Sequence, residues 1–187
     1  MANIEKPVAI FGLLTDIQYA DIDDLVEKDK IRYYRSTIDL IKSAIESWRR
    51  IENEEKIKLT FICQLGDIID GYKNTDKSSY QIGLEKVLNE LEKINNNSLL
   101  NTESTKLFHL WGNHELYCFD LDHLKKSSLN TALALNQPKL NGRNYFSFDI
   151  TDKLRLICLD EFEFGVLGYE PSDDIHIQAS QMIDGFR

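Results

Sequence analysis

The stretch Gln64-Leu65-Gly66-Asp67-Ile68-Ile69-Asp70-Gly71 decides how the rest of the chain is read. Before it, the apolar, β-rich run Lys58-Leu59-Thr60-Phe61-Ile62-Cys63 has the character of a buried strand. The run breaks at Gly66 and presents Asp67 and Asp70 from the turn beyond. Open α/β sheets bind their ligands in loops outside the carboxyl ends of the strands. Two carboxylates three residues apart repel each other unless hydrogen bonds or a cation offset the charge. By itself the stretch fits equally well a helix N-cap with a second acid near the positive end of the helix dipole.

Two other stretches repeat the pattern. Asp16-Ile17-Gln18 follows the strand-like Val8 to Thr15, and Gly112-Asn113-His114-Glu115 follows the strand-like Lys106 to Trp111. If the three strands lie parallel in one sheet, all three polar turns open on the same edge. Their oxygen and nitrogen donors then converge, which points to a metal site.

A chain of 187 residues suits one domain, taken here as residues 1–187. With 42% hydrophobic and 28% charged residues it has the composition of a globular protein with an ordinary core. Its formal net charge of −9 speaks against general affinity for nucleic acid or an anionic membrane. An anionic substrate would need a locally held cation. Cys63, Cys118 and Cys158 form no CxxC pair. Cys63 and Cys158, within strand-like apolar runs, read as small buried hydrophobes, and the sparse, odd set fits a reducing, cytoplasmic compartment. The first apolar run, about eight residues, is too short for a membrane span.

Along the chain, Asp21 to Lys30 reads as an acidic loop. Ile31, Tyr34, Ile38, Ile41, Ile45 and Trp48 recur every three or four residues, which predicts an amphipathic helix ended by Asn53 to Lys56. Strand, helix, strand at this spacing is a right-handed βαβ unit with parallel neighbours. A polar loop from Lys73 to Ser79 precedes a second helix, with Tyr80, Leu84, Val87, Leu88, Leu91 and Ile94 as its stripe. Asn95 to Thr105 is a surface connection. Leu121 to Leu135 is helix-like but loosely patterned. Asn144 to Asp149 and Leu154 to Asp160 form a hairpin about Thr151-Asp152-Lys153, and a last helix spans His176 to Met182. The fold class is α/β, in α+β layers.

Asp16-x-Gln18, Gly66-Asp67-x-x-Asp70 and Gly112-Asn113-His114-Glu115, each after a strand, resemble the spaced signature of the calcineurin-like metallophosphoesterases. Gln18 stands where that superfamily usually has a histidine. With Arg32-Tyr33-Tyr34-Arg35 and Trp111 before Gly112, the set is similar to the manganese-dependent ADP-ribose/CDP-alcohol diphosphatases, from about Val8 onward. The resemblance implies a metallophosphoesterase-like β-sandwich flanked by helices, with a dinuclear metal centre at one edge. Asp16 and Gln18 would then hold one ion, Asp67 would bridge two, and Asn113 would bind the second. His114 would sit over the phosphate as general acid or charge stabiliser. The ions would be Mn²⁺, with Mg²⁺ as the alternative, about 3.5–4 Å apart. The substrate implied is a small nucleotide diphosphate such as ADP-ribose or a CDP-alcohol, cleaved at its phosphoanhydride by a monomeric enzyme in its full-length form.

The family also carries a Gly-His-x-His turn, and His109, His114, His123 and His176 supply none. The expectation is therefore an N-terminal portion, incomplete at its C-terminus, with exposed strand faces and poor solubility. The alternatives are a catalytically impaired fragment or isoform keeping half the metal site, or an enzyme for other phosphodiesters. Asp70 is read as orienting a ligand or capping a helix, and Glu115 as support. Arg35 is read as an ion-pair partner of Asp39, His109 as a core or lining residue, and His123 and His176 as solvent-facing.

Overall fold

The computed structural model describes residues 7–71, 77–96, 106–137, 142–164 and 171–185. In chain order its elements are β1 (Phe11–Leu14), β2 (Leu25–Glu27), β3 (Lys30–Arg32), α1 (Thr37–Glu54), β4 (Phe61–Gln64), α2 (Lys77–Asn96) and β5 (Lys106–His109). They continue with α3 (Asn113–Cys118), α4 (Leu121–Lys126), α5 (Thr131–Ala134), β6 (Phe146–Thr151), β7 (Leu154–Cys158), a 3-10 turn at Glu161–Phe164, and α6 (Asp174–Gly185).

All four residues of β4 are buried, because this strand is covered on both faces and on both edges. It pairs in parallel with β1, Phe11 opposite Phe61, and with β5, Phe61 opposite Lys106. Parallel neighbours need long crossovers, and α1 and α2 supply them. Side chains alternate across the sheet, so β4 serves two cores. Ile62 joins Ile41 and Ile45 of α1 and Leu84, Val87 and Leu91 of α2. Phe61 and Cys63 join Phe108, Phe146 and Cys158 on the opposite face. There the antiparallel β6–β7 hairpin lies over the sheet, with the Phe108 ring 5.6 Å from Phe146 and 5.4 Å from Phe148. Each fully buried Leu, Ile or Phe contributes roughly 1.5–3 kcal/mol. The result is three layers: helices, parallel sheet, hairpin.

On β1, Gly12 faces α1 so closely that a Cβ there would lie 2.8 Å from the Trp48 ring. Phe11 and Leu13 point to the hairpin side with Phe61 and Cys63, yet remain 47% and 53% exposed. Phe11 stacks on Phe61 at 4.8 Å.

Several expectations are corrected. Asp21 to Lys30 is not all loop, because β2 and β3 pair as a hairpin, Leu25 opposite Arg32. The first helix starts at Thr37 rather than Ile31. Its start is fixed by Asp24, which accepts from Tyr34 N at 2.7 Å and Ser36 Oγ at 2.7 Å. Arg35 does not pair with Asp39. Arg35 binds Asp21 (2.8 Å) and Asp23 (2.7 Å), while Lys42 takes Asp39 at 2.8 Å. The second helix begins at Lys77, within the expected polar loop, of which residues 73–76 lie outside the described residues. So does most of the expected surface connection, residues 97–105. Leu121 to Leu135 is two short helices instead of one. Buried Asn130 interrupts them: its Oδ1 accepts from Leu133 N at 3.0 Å, and its amide donates to Lys125 O and Gly142 O. A side chain that satisfies backbone groups in this way competes with helix continuation. His176 is half-buried rather than solvent-facing.

Candidate active site

Because β1, β4 and β5 are parallel, their C-terminal ends share one edge of the sheet. The first two turns go on pairing past the strands. Asp16 N donates to Gly66 O (3.2 Å), Gln18 N to Asp67 O (2.9 Å), Tyr19 N to Ile68 O (2.9 Å) and Asp70 N to Tyr19 O (2.9 Å). This zipper carries Asp16 and Gln18 alongside Asp67. All three adopt left-handed backbone, at φ of 52°, 45° and 54°, and they are half of the six non-glycine residues with positive φ among those described. Such conformations cost of order 1–3 kcal/mol each and gather at functional sites.

The third turn closes on the second through two glycines. A Cβ on Gly66 (φ +104°) would lie 2.5 Å from Gly112 N, and one on Gly112 would overlap the Asp67 carboxylate. Within α3, His114 N then donates to Asp67 Oδ1 at 3.0 Å. Asn113, which opens α3, is flanked by the two residues that touch Asp67.

Glu115 locks the arrangement. It is fully buried, and its carboxylate accepts four backbone N–H groups. Oε2 takes Asp67 N (2.8 Å) and Gly112 N (2.7 Å), and Oε1 takes Ile68 N (2.6 Å) and Ile69 N (3.3 Å). Burial pushes this carboxyl up, and the four amide donors pull against that. The sequence marked Glu115 only as support. Its reach across 48 residues to Asp67 has no sequence signal beyond its place after Asn113 and His114.

The His114 ring is held from both sides. Nδ1 accepts from Gly71 N at 3.0 Å and lies 3.2 Å from Asp70 Oδ1, while Nε2 lies 3.4 Å from the Gln18 amide nitrogen. The Asp70 side chain is fully enclosed, and that of His114 is 18% exposed. Neither Asp70 oxygen has a hydrogen-bond partner in this arrangement. A second proton on the imidazole would turn Nδ1 into a donor facing that carboxylate. Asp70 therefore caps no helix. Burial pushes its carboxyl up, and the His114 and Arg32 charges hold it down. The clue in the sequence was the spacing: in an extended turn, three residues past Asp67 reaches the far side of the same histidine.

The other candidates separate from the site. His109 lies in β5, and burial lowers its pKa to about 4, which leaves a neutral ring. His123 is exposed and stacks on Phe119 at 4.7 Å. Cys63, Cys118 and Cys158 are buried free thiols, pushed up by burial to about 12, 12 and 11.

The carboxylates of Asp16 and Asp67 and the amides of Gln18 and Asn113 are hard oxygen donors, the type that suits Mn²⁺ or Mg²⁺. Among the described residues, no three His, Cys, Asp or Glu side chains are grouped as a cation site by themselves. The donor set fits part of a divalent-cation centre, with amide donors counted.

No family profile matches the chain. It is 34% identical over 191 residues to the manganese-dependent ADP-ribose/CDP-alcohol diphosphatase of Mus musculus, covering 97% of this chain and 52% of that protein. The protein of the same name from Xenopus tropicalis is 34% identical over 182 residues, covering 90% of this chain and 49% of its own length. A dimetal phosphatase from Danio rerio superposes with a TM-score of 0.74 at 30% identity, covering 96% of this chain and 52% of that one. The chain spans about half the length of the curated relatives it matches. In sequence and in its metallophosphoesterase-like α/β fold, it is similar to about half of a manganese-dependent ADP-ribose/CDP-alcohol diphosphatase.

Proposed function

We propose that the protein carrying this chain hydrolyses the phosphoanhydride of nucleotide diphosphate compounds, ADP-ribose and CDP-alcohols such as CDP-choline, with Mn²⁺. The observation that carries this reading is the locked edge. Asp16, Gln18 and Asp67, with left-handed backbone, stand on two zipped turns, and Asn113 and His114 on a third turn clamped to them by Glu115. Asp16 and Gln18 would hold one cation, Asp67 would bridge to a second, and Asn113 would contribute an amide oxygen. Bound cations supply charge for the phosphate oxygens and acidify the attacking water.

The chain's own residues do the rest. Water adds to one phosphorus and the bridging P–O bond breaks. The doubly protonated His114 ring, steadied by Asp70 facing Nδ1, gives its Nε2 proton to the departing phosphate oxygen, and the proton released by the attacking water passes to bulk solvent and restores the ring. In the neutral ring the Gly71 N–H, donating to Nδ1, keeps the imidazole turned with Nε2 away from the enclosed Asp70. Glu115 holds Asp67 in place.

The proposal includes a cytoplasmic monomer that binds neither nucleic acid nor membrane. The net charge of −9 and the free thiols support this, and no helix among the described residues is long and apolar enough to cross a membrane. One observation favours a second reading, a half-site: among the described residues no three His, Cys, Asp or Glu side chains group together, and the donor set is completed only by the amides of Gln18 and Asn113. The test is hydrolysis of ADP-ribose and CDP-choline with Mn²⁺, beside Asp67→Asn. Mn²⁺-dependent turnover lost in the variant supports the enzyme reading. A folded chain with no turnover and no Mn²⁺ binding would sink it for this stretch.

A further inference from the structure

Within α3, Glu115, Leu116 and Cys118 point inward and are buried. His114 and Tyr117, three positions apart, share its other face, as helical side chains at that spacing do. Tyr117 is 54% exposed, an unusual place for a large aromatic ring beside a polar site. Its ring centre lies 5.4 Å from that of His114, with the planes at 54°. The contact is tilted, so the two rings do not cover each other as Phe119 and His123 do at 4.7 Å and 9°. The phenol is also held by backbone. A Cβ on Gly71 would lie 2.9 Å from Tyr117 Cβ and 3.0 Å from its Cδ2, so only glycine lets the turn approach this closely. The same Gly71 donates its N–H to His114 Nδ1 at 3.0 Å. One residue thus fixes phenol and imidazole relative to each other. Gln18 lies at Nε2, 3.4 Å away, so Tyr117 stands on the side of the imidazole away from the cation donors.

We propose that Tyr117 is a substrate-binding residue whose exposed ring carries the nucleoside of a nucleoside diphosphate held at His114. This rests on the diphosphate reading of the site. The carboxylates and amides of the edge serve phosphates through cations and give a neutral, flat nucleoside nothing to lie against. Tyr117 supplies that surface, in ring contact with His114. The substrates of the diphosphate reading carry a purine in one case and a pyrimidine in the other. Stacking on an aromatic ring accepts both, because every base has a π-face.

The test is calorimetric binding of ADP, CDP and inorganic pyrophosphate, each with Mn²⁺ present, to the wild-type chain and to Tyr117→Ala, Tyr117→Leu and Tyr117→Phe, with thermal melts of each. Loss of one base–aromatic stack predicts about five- to hundredfold weaker binding of ADP and CDP by Tyr117→Ala. Pyrophosphate, which has no nucleoside, should bind as it does to the wild type. Tyr117→Phe keeps the ring and should restore nucleotide binding. If the alanine unsettles the Gly71 turn, Tyr117→Leu, which keeps an apolar side chain there and removes the π-face, gives the same readout. Wild-type ADP affinity in a folded Tyr117→Ala or Tyr117→Leu overturns the role of Tyr117 and leaves the diphosphate reading standing. Equal weakening of ADP and pyrophosphate does the same, because the ring would then only support His114. A wild-type chain that binds none of the three anions overturns the diphosphate reading and this inference with it.

Discussion

Glu115→Gln changes one atom and should loosen the whole edge. The carboxylate accepts two backbone N–H groups on each oxygen. An amide offers one oxygen and an NH₂ that points donors at donors. Whichever way it turns, one pair loses its acceptor: Asp67 N with Gly112 N, or Ile68 N with Ile69 N. Each buried N–H left without a partner costs about 1–3 kcal/mol, so the pair costs about 2–6 kcal/mol. Removing a buried charge returns part of this, because burial disfavours the ionised form. A net loss of ~2–4 kcal/mol is expected, which lowers Tm by roughly 5–15 °C in a chain of this size. The fold-level assay is urea or thermal unfolding followed by circular dichroism. The site-level assay is Mn²⁺ binding by EPR at a temperature where the variant is folded, and it should fail because Asp67 is no longer held. A variant within ~0.5 kcal/mol of wild type, the range of an ordinary surface change, that binds Mn²⁺ equally well would refute the idea that this carboxylate locks the turns.

His109 predicts a pH dependence. Its folded pKa of about 4 lies below the ordinary 6.5, so only the unfolded chain takes up the proton as pH falls through that window. The stability this gives is full above pH 6.5 and is lost toward pH 4, by roughly 3 kcal/mol for a shift of this size. Urea midpoints of His109→Phe should lack that loss, and parallel pH curves for the two proteins would contradict the assignment. The open face of β1, with Phe11 and Leu13 half exposed, should make these 187 residues associate. Leu13→Lys should suppress this in sedimentation velocity, and a monodisperse wild-type monomer would argue against an adhesive face.

The three strand ends were legible because strand termini are local facts. An apolar run that stops at Gly66 or Gly112 and meets Asp67 or Asn113 says where chemistry is presented. The helix faces of Ile41, Ile45 and of Leu84, Leu91 were legible for the same reason, since period and burial coincide. What failed did so where a distant or irregular polar contact decides. The β2–β3 hairpin has no turn chemistry that marks it, and all of its β2 residues are exposed, so no apolar alternation shows. Asp24 moved the start of α1 by satisfying the turn before it, and Asp21 drew Arg35 away from Asp39. Asn130 broke a weakly periodic helix from within.

The site itself divides along the same line. Its donors are set by motif, but its shape is set by bonds that join residues 46 to 48 positions apart, from Glu115 and His114 to the Asp67 turn. Asp16, Gln18 and Asp67 hold left-handed backbone that their own side chains do not favour enough to impose. The zipper between the first two turns and the Glu115 clamp on the third oppose that strain with ordinary backbone hydrogen bonds. The clamp is a carboxylate of the protein interior. The edge is therefore preorganised by residues that need not touch a substrate, and binding free energy is not consumed in assembling it. This explains why Glu115 is completely buried while His114, one residue earlier, keeps its ring within reach of solvent. A single turn of α3 turns one side chain inward to fix the site and leaves its neighbour at the surface to act in it.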